Sequence, residues 1–333
     1  MRKLRHVRQF CYFLLTGIIF LSLLQSLNKK GETDYSSLTD DQINELVKEA
    51  DADMAERRAR VKMVCSKYNL GDYEKKGDSR DEQLFQHPPI PKDRVFFIDD
   101  VHKMTYCPIY KAASTTWLHQ MMLLAGISEQ AILNETKARS IYPEPHLNDV
   151  EKALRTTLKF IIVRHPFERL VSAFRDKLEN KSARQMNGNQ HFYAKLFAPK
   201  IIAKSRNSTS GSPEPTFQEF VAYLLKEKAE ELDDHWIPNY LFCTPCIIDY
   251  DIIAHVETLF RDQLYVIKKV KLEGKIWPIW RHITKGQSSA GEIAKSYFSQ
   301  LTQSDVQQLY KMYRLDFELF GYNHSEYLNF ARN

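Results

Sequence analysis

Glycine is scarce in this 333-residue chain, with 11 residues, and proline contributes only 13. With 43% hydrophobic and 27% charged residues, that scarcity excludes collagen-like, fibrous and disordered chains. The glycines never fall in a G-x-x-x-x-G-K-S/T pattern, which argues against a Walker-type nucleotide loop. A kinase is disfavoured in the same way, by the absence of a glycine-rich loop and of a metal-binding acidic motif. No internal repeat is present. A basic surplus is also missing once position is considered. The chain is +5 overall, yet residues 1–30 hold Arg2, Lys3, Arg5, Arg8, Lys29 and Lys30 and no acid. The other 303 residues carry 41 basic and 42 acidic groups, so a nucleic-acid-binding body, which needs cations to neutralise phosphates, is not expected.

Long apolar runs are absent but for one, FCYFLLTGIIFLSLLQSL at residues 10–27, eighteen positions without a charge. At about 1.5 Å per residue it just spans a hydrocarbon core of roughly 30 Å. A small-x-small cleavage site is lacking, since Ser26 would need a small partner where Leu23 stands. The expectation is a cytoplasmic tail at 1–9 and an uncleaved transmembrane signal anchor at 10–27. Four basic residues before the run and two after it leave the N-terminus cytoplasmic by the positive-inside rule. This is a single-pass type II layout with a lumenal body, usual for enzymes of the Golgi membrane. Sequons at Asn134, Asn180, Asn207 and Asn323 agree, as candidate glycosylation sites. Cys65, Cys107, Cys243 and Cys246 then face an oxidising compartment, where disulfides are expected with three connectivities open. A zinc site at Cys243–Cys246 is disfavoured, because a second close pair is missing.

Residues 28–91 read as a stem. Thr39 and Gln42 form a capping-box pattern, and Ile43, Leu46, Val47, Ala50 and Met54 fall at helical spacing in a highly charged stretch, predicting a solvated spacer helix. HPPIP at 87–91 breaks any helix and marks entry to the main domain, 92–333. There, RVFFI (94–98) and TYCPI (105–109) read as strands and WLHQMMLLAG (117–126) as a helix. LKFIIV (158–163) is a continuous apolar run of the buried, parallel kind, followed by an amphipathic helix over 167–178. Strands leading directly into helices predict an α/β domain with a central parallel sheet flanked by helices.

Two segments carry chemistry. In Tyr110-Lys111-Ala112-Ala113-Ser114-Thr115-Thr116-Trp117, a strand passes through a short loop into a helix. Free N–H groups, the helix dipole, Lys111 and three hydroxyls suit an anion there, as in a phosphate cradle without glycines. In Ile161-Ile162-Val163-Arg164-His165-Pro166-Phe167-Glu168-Arg169, Arg164 stands at the end of the buried strand, where open α/β sheets bind ligands. Ser172 lies about two turns into the next helix, so it meets Arg164 only if the loop folds back.

Together, KAASTTW and IIVRHPFERLVSAFRDK resemble the 5′- and 3′-binding motifs of sulfotransferases that use 3′-phosphoadenosine-5′-phosphosulfate (PAPS). The second is similar to the membrane-bound carbohydrate sulfotransferases of the chondroitin/dermatan 4-O-sulfotransferase type. Further similarity lies at 60–70, 233–259 and 297–322. The resemblance implies a P-loop-like sulfotransferase fold behind a transmembrane helix and helical stem. It places Tyr110, Lys111, Ala112, Ala113, Ser114, Thr115 and Thr116 around the 5′-phosphosulfate and Arg164, Arg169 and Ser172 around the 3′-phosphate. The family usually has Pro, Gly and Asn where Tyr110, Ala113 and Thr116 stand, so the first loop departs from its pattern.

The implied reaction carries a sulfuryl group from PAPS to a glycan hydroxyl, with 4-O of N-acetylgalactosamine in chondroitin or dermatan as the acceptor position. No divalent metal is required on this reading, because a sulfuryl group carries less charge than a phosphoryl. Lys111 would neutralise the leaving bridging oxygen. His235, in Asp233-Asp234-His235-Trp236, is the candidate general base, its neighbouring acids raising its basicity and Trp236 offering a face for a sugar ring. His165 and His255 compete for that role. Alternatives are a uronyl 2-O-sulfotransferase, since the Ser-Thr-Thr triplet also occurs there, and a non-catalytic glycan-binding membrane protein.

Overall fold

A computed structural model describes residues 38–71, 93–133, 137–179, 192–206, 211–279 and 290–332. The expected anchor at 10–27 and the sequons at Asn134, Asn180 and Asn207 lie outside the described residues. No helix among the described residues is long and apolar enough to cross a membrane. Counting helices of eight residues or more, the order is α1 (Asp40–Lys67), β1 (Phe97–Asp99), β2 (Met104–Cys107), α2 (Ser114–Leu124), α3 (Leu147–Thr156), β3 (Leu158–Val163), α4 (Pro166–Phe174), α5 (Ala198–Ser205), α6 (Phe217–Leu224), β4 (Ile252–His255), α7 (Leu259–Lys269), α8 (Ala290–Phe298) and α9 (Gln303–Phe320).

The four strands lie in the order β1-β2-β3-β4. β2, β3 and β4 run parallel, and β1 returns antiparallel on the edge of β2. The expected parallel sheet is therefore mixed at one edge. The reversal is made by a tight turn in which the Asp99 Oδ1 accepts the backbone N–H groups of Val101 and His102. β3 is covered on both faces, which is why residues 160–163 read as an unbroken apolar run after Lys159: Ile161 and Val163 enter one core with Phe167 and Leu170 of α4, while Phe160 and Ile162 enter the other with Trp117 and Met121 of α2. The strand expected at 94–98 begins only at Phe97, because Asp93–Val95 form a 3₁₀ turn. The helix expected at 117–126 begins at Ser114, so the three hydroxyl residues form its first turn. The helix expected to reach 178 stops at Phe174 and continues as a single π-helical turn, Arg175–Glu179.

α1 is not a solvated spacer. Thr39 and Gln42 make the predicted capping box, but Leu46, Ala50, Met54, Val61 and Val64 are buried against β4, α7 and α9. Its Arg57 guanidinium meets the buried Asp262 carboxylate at 2.6 Å and donates to the Ile253 carbonyl at 2.9 Å. A charged residue on a mostly polar helix thus reads as solvated until its partner, 205 positions away, is in place. The packed body extends N-terminal of residue 92 to include this helix. Two disulfides fasten it, Cys65–Cys246 to α1 and Cys107–Cys243 to the end of β2. Both thiols of the Cys243–Cys246 pair are thereby consumed in cross-links.

A chain begun at residue 92 loses the α1 core stripe, the partner of Asp262 and the partner of Cys246. It is expected to give no cooperative thermal transition, whereas a chain begun at residue 38 unfolds as one unit; scanning calorimetry on both checks this.

Candidate active site

β2 ends at Cys107, where the disulfide to Cys243 anchors the following loop. That loop turns tightly, with the Ala112 N–H donating to the Ile109 carbonyl at 3.2 Å. Lys111 and Ala113 both take left-handed conformations, with φ of +69° and +58°. Each costs an L-residue on the order of 1 kcal/mol, which gives a physical reason for a glycine at the position of Ala113. α2 then starts with Ala113 as its N-cap and no side chain capping it. By contrast, α1, α6 and α9 each open with a capping box, at Thr39, Thr216 and Thr302. The start of α2 shares this lack of a side-chain cap with α3, α5 and α7, and its free N–H groups can meet an anion.

Arg164 leaves the end of the neighbouring strand β3 and reaches back to the same loop. Its Nη1 donates to the Lys111 carbonyl at 3.4 Å, and its Nε and Nη2 pair with Glu168 at 3.3 and 3.2 Å. His165 and Pro166 start α4 at once, the His165 ring accepting the Phe167 N–H. Glu168 and Ser172, one turn apart, then share the face on which Arg164 lies. Lys111, Arg164, Glu168, Ser172, Arg175 and Asp176 line one open cleft of about 320 Å³. Arg164 and Ser172, which the sequence brought together only if the loop folds back, line the same cleft. The cleft is not purely basic: Lys111 Nζ lies 3.1 Å from Asp176, which also holds Lys177 at 3.2 Å. Burial pushes the Lys111 ammonium below its ordinary 10.5 despite the raising influence of Asp176.

The other predicted donor residues are placed differently. Ala112, Ser114 and Thr116 are buried and Thr115 is exposed at the start of α2. The Tyr110 ring turns away from the cleft and stacks on His235, with centroids 4.5 Å apart. Arg169 is a correction. It is buried at 1% exposure and donates to the carbonyls of Tyr110 at 2.9 Å, Ile237 at 2.8 Å and Asp234 at 3.2 Å. No part of it is left for a phosphate; it braces the Lys111 loop against the segment that carries His235.

His235 lies beyond Tyr110 rather than in the cleft. Its Nδ1 is 2.9 Å from Asp233 Oδ1 and 2.9 Å from the Tyr193 hydroxyl. The sequence suggested that nearby acids raise its basicity. Instead burial lowers it below the ordinary 6.5, with Lys177 and Lys111 adding to that and Asp233 opposing it. Trp236 offers no face to a sugar: it is fully buried among Tyr193, Phe197 and Phe220. Of the competing histidines, His165 is tied to the Phe167 N–H and the Asn323 carbonyl, and His255 stacks on Tyr322. Asn323 itself is exposed, its side-chain oxygen accepting the Ser325 N–H. Asp176 lies within the second motif but was given no role there, and Tyr193 carried no motif; only their contacts reveal them. Among the described residues no group of three or more His, Cys, Asp or Glu is arranged to hold a metal ion.

Cations brought to the carboxyl ends of two adjacent parallel strands, one at an uncapped helix N-terminus, suit an anionic ligand in an α/β domain. A family model described as the sulfotransferase family matches residues 94–323, and the chain belongs to that family. It is 31% identical to rat carbohydrate sulfotransferase 11 over 69% of this chain and 68% of that one. It is 32% identical to Xenopus laevis carbohydrate sulfotransferase 10 over 82% of this chain and 77% of that one. It is also 29% identical to mouse carbohydrate sulfotransferase 8, over 80% and 63%. No solved structure matches it.

Replacing Arg169 with Met leaves three buried carbonyls without a donor, and is expected to cost about 3 kcal/mol or more of stability. Urea denaturation measures the loss.

Proposed function

We propose that this sulfotransferase acts on carbohydrate, moving the sulfuryl group of PAPS to a glycan hydroxyl, with 4-O of N-acetylgalactosamine in chondroitin or dermatan as the acceptor. The names of the relatives support a carbohydrate acceptor. The observation that carries the donor reading is the cleft shared by Lys111, Arg164 and Ser172, with Arg164 bonded to the Lys111 carbonyl. Two cations, a hydroxyl and an uncapped helix N-terminus all favour anions, so the residues present fit such a donor. The placement of the enzyme in the Golgi membrane, with this body lumenal and glycosylated, rests on the N-terminal pattern and the sequons.

In this reading Arg164 and Ser172 hold the 3′-phosphate, and Lys111 faces the oxygen that bridges sulfur and phosphorus. Donor anions take the places that Glu168 and Asp176 occupy beside these cations. His235 accepts the acceptor hydroxyl proton as the new sulfur–oxygen bond forms and the bridging one breaks, releasing a sulfate ester and the 3′,5′-bisphosphate nucleotide. Lys111 stabilises the charge left on that nucleotide, which is where most of the rate acceleration is expected in such transfers.

Lys111→Ala is expected to lower kcat by about 100-fold, and near-normal turnover by the folded variant contradicts its role. Calorimetry with adenosine 3′,5′-bisphosphate is expected to show about tenfold weaker binding by Arg164→Ala. The pH profile follows from the two shifted groups. His235 must be neutral to accept a proton, so kcat/KM falls as pH drops through a value below 6.5. Lys111 must be charged, so kcat/KM falls again as pH rises through a value below 10.5.

A further inference from the structure

The His235 imidazole is held from several sides. Asp233 Oδ1 accepts both the His235 backbone N–H and its Nδ1, each at 2.9 Å. The Tyr193 hydroxyl reaches both Asp233 oxygens, at 3.0 and 2.9 Å, as well as Nδ1. Tyr110 stacks on one face of the ring, and the Tyr193 ring stands edge-on at 5.2 Å. The Asp233 carboxyl is kept ionised: burial opposes this, but the hydrogen bonds from His235 outweigh it and hold the group below the usual carboxylate range. An ionised carboxylate only accepts, so Nδ1 must carry the proton and Nε2 the lone pair.

Tyr193 belongs to a π-helical turn, Tyr193–Phe197, that packs against a second one, Arg175–Glu179, which carries Asp176 and Lys177. Single π turns recur at functional sites because the extra residue re-aims a side chain. Here the Lys177 Nζ lies 5.2 Å from the centre of the Tyr193 ring. The charged and titratable groups facing His235 are thus Asp233, Tyr193 and Tyr110, with Lys177 and Lys111 acting through their charge.

We propose that Tyr193 and Asp233 are positioning residues for the sulfuryl-transfer reaction, a pair that fixes the Nδ1–H tautomer of His235 and so makes Nε2 the proton-accepting atom. The proposal rests on His235 being the base. Asp233 orients the ring and attracts the imidazolium. Tyr193, donating to Asp233, disperses the carboxylate charge and limits that attraction. The two therefore act on the basicity of His235 in opposite directions, which a purely structural role does not do.

The test is the pH dependence of kcat/KM for Asp233→Asn and Tyr193→Phe, each also made with His235→Ala, with melting temperatures to confirm folding. Asp233→Asn is expected to lower kcat by about 100-fold and Tyr193→Phe by about tenfold, with donor KM changing less than about twofold. The acid limb should move to lower pH in Asp233→Asn and to higher pH in Tyr193→Phe. In the His235→Ala background neither change should lower kcat further by more than about twofold, since residues that act as one unit are not additive. Full activity in His235→Ala overturns the base and the proposal with it. A His235→Ala variant that is inactive, beside folded Tyr193→Phe and Asp233→Asn variants with unmoved acid limbs, overturns the positioning pair alone.

Discussion

One buried guanidinium sets the register of this site. Arg169 leaves the first turns of α4, the helix that Arg164 precedes, and ends on three carbonyls from two other segments. Tyr110 adjoins Lys111, while Asp234 and Ile237 flank His235 and Trp236. The side chain therefore ties the strand end that bears Arg164, the loop that bears Lys111 and the segment that bears His235 into one unit. A buried charge without a partner carboxylate survives only when its donors are satisfied, and the carbonyls perform that task here. The Cys107–Cys243 disulfide draws together the same two segments from the other side.

Around that brace the chain places opposing charges with care. Lys111 and Arg164, the cations best placed for a donor, are each paired with an acid, Asp176 and Glu168. Such pairing keeps two half-buried cations from repelling each other, and in the proposed function it makes donor binding an exchange of partners. A near-neutral body is thereby compatible with the anionic glycan of the proposed function. Attraction for polyanions is local, and the basic surplus of the whole chain sits in its first 30 residues.

Much of the fold was legible. LKFIIV is β3 to the residue, its last four positions being apolar and buried, as in a strand covered on both faces. The position of Lys111 and Arg164 at strand-to-helix junctions was legible as well, since such junctions in α/β domains are set by local sequence. What could not be read depends on distant partners. The burial of Arg169 requires carbonyls 59 to 68 positions away. α1 reads as polar until α7 supplies Asp262 for Arg57. Trp236 beside a histidine looks like a sugar platform, but three aromatic rings from α6 and the 193–197 turn enclose it. The turn of Tyr193 toward His235 depends on a contact 42 positions long and leaves no trace in the local pattern.

The proposed function is the transfer of a sulfuryl group from a nucleotide to a sugar. Its most direct test is to incubate the purified protein with radiolabelled PAPS and, separately, chondroitin, desulfated dermatan and heparosan, then to digest each product to disaccharides. Label is expected in chondroitin or dermatan, at the 4-O position of N-acetylgalactosamine, and to accumulate about 100-fold more slowly after Lys111→Ala. Label on a uronic acid 2-O position would keep the donor site and replace the acceptor, whereas nucleotide binding without transfer to any glycan would contradict the claim.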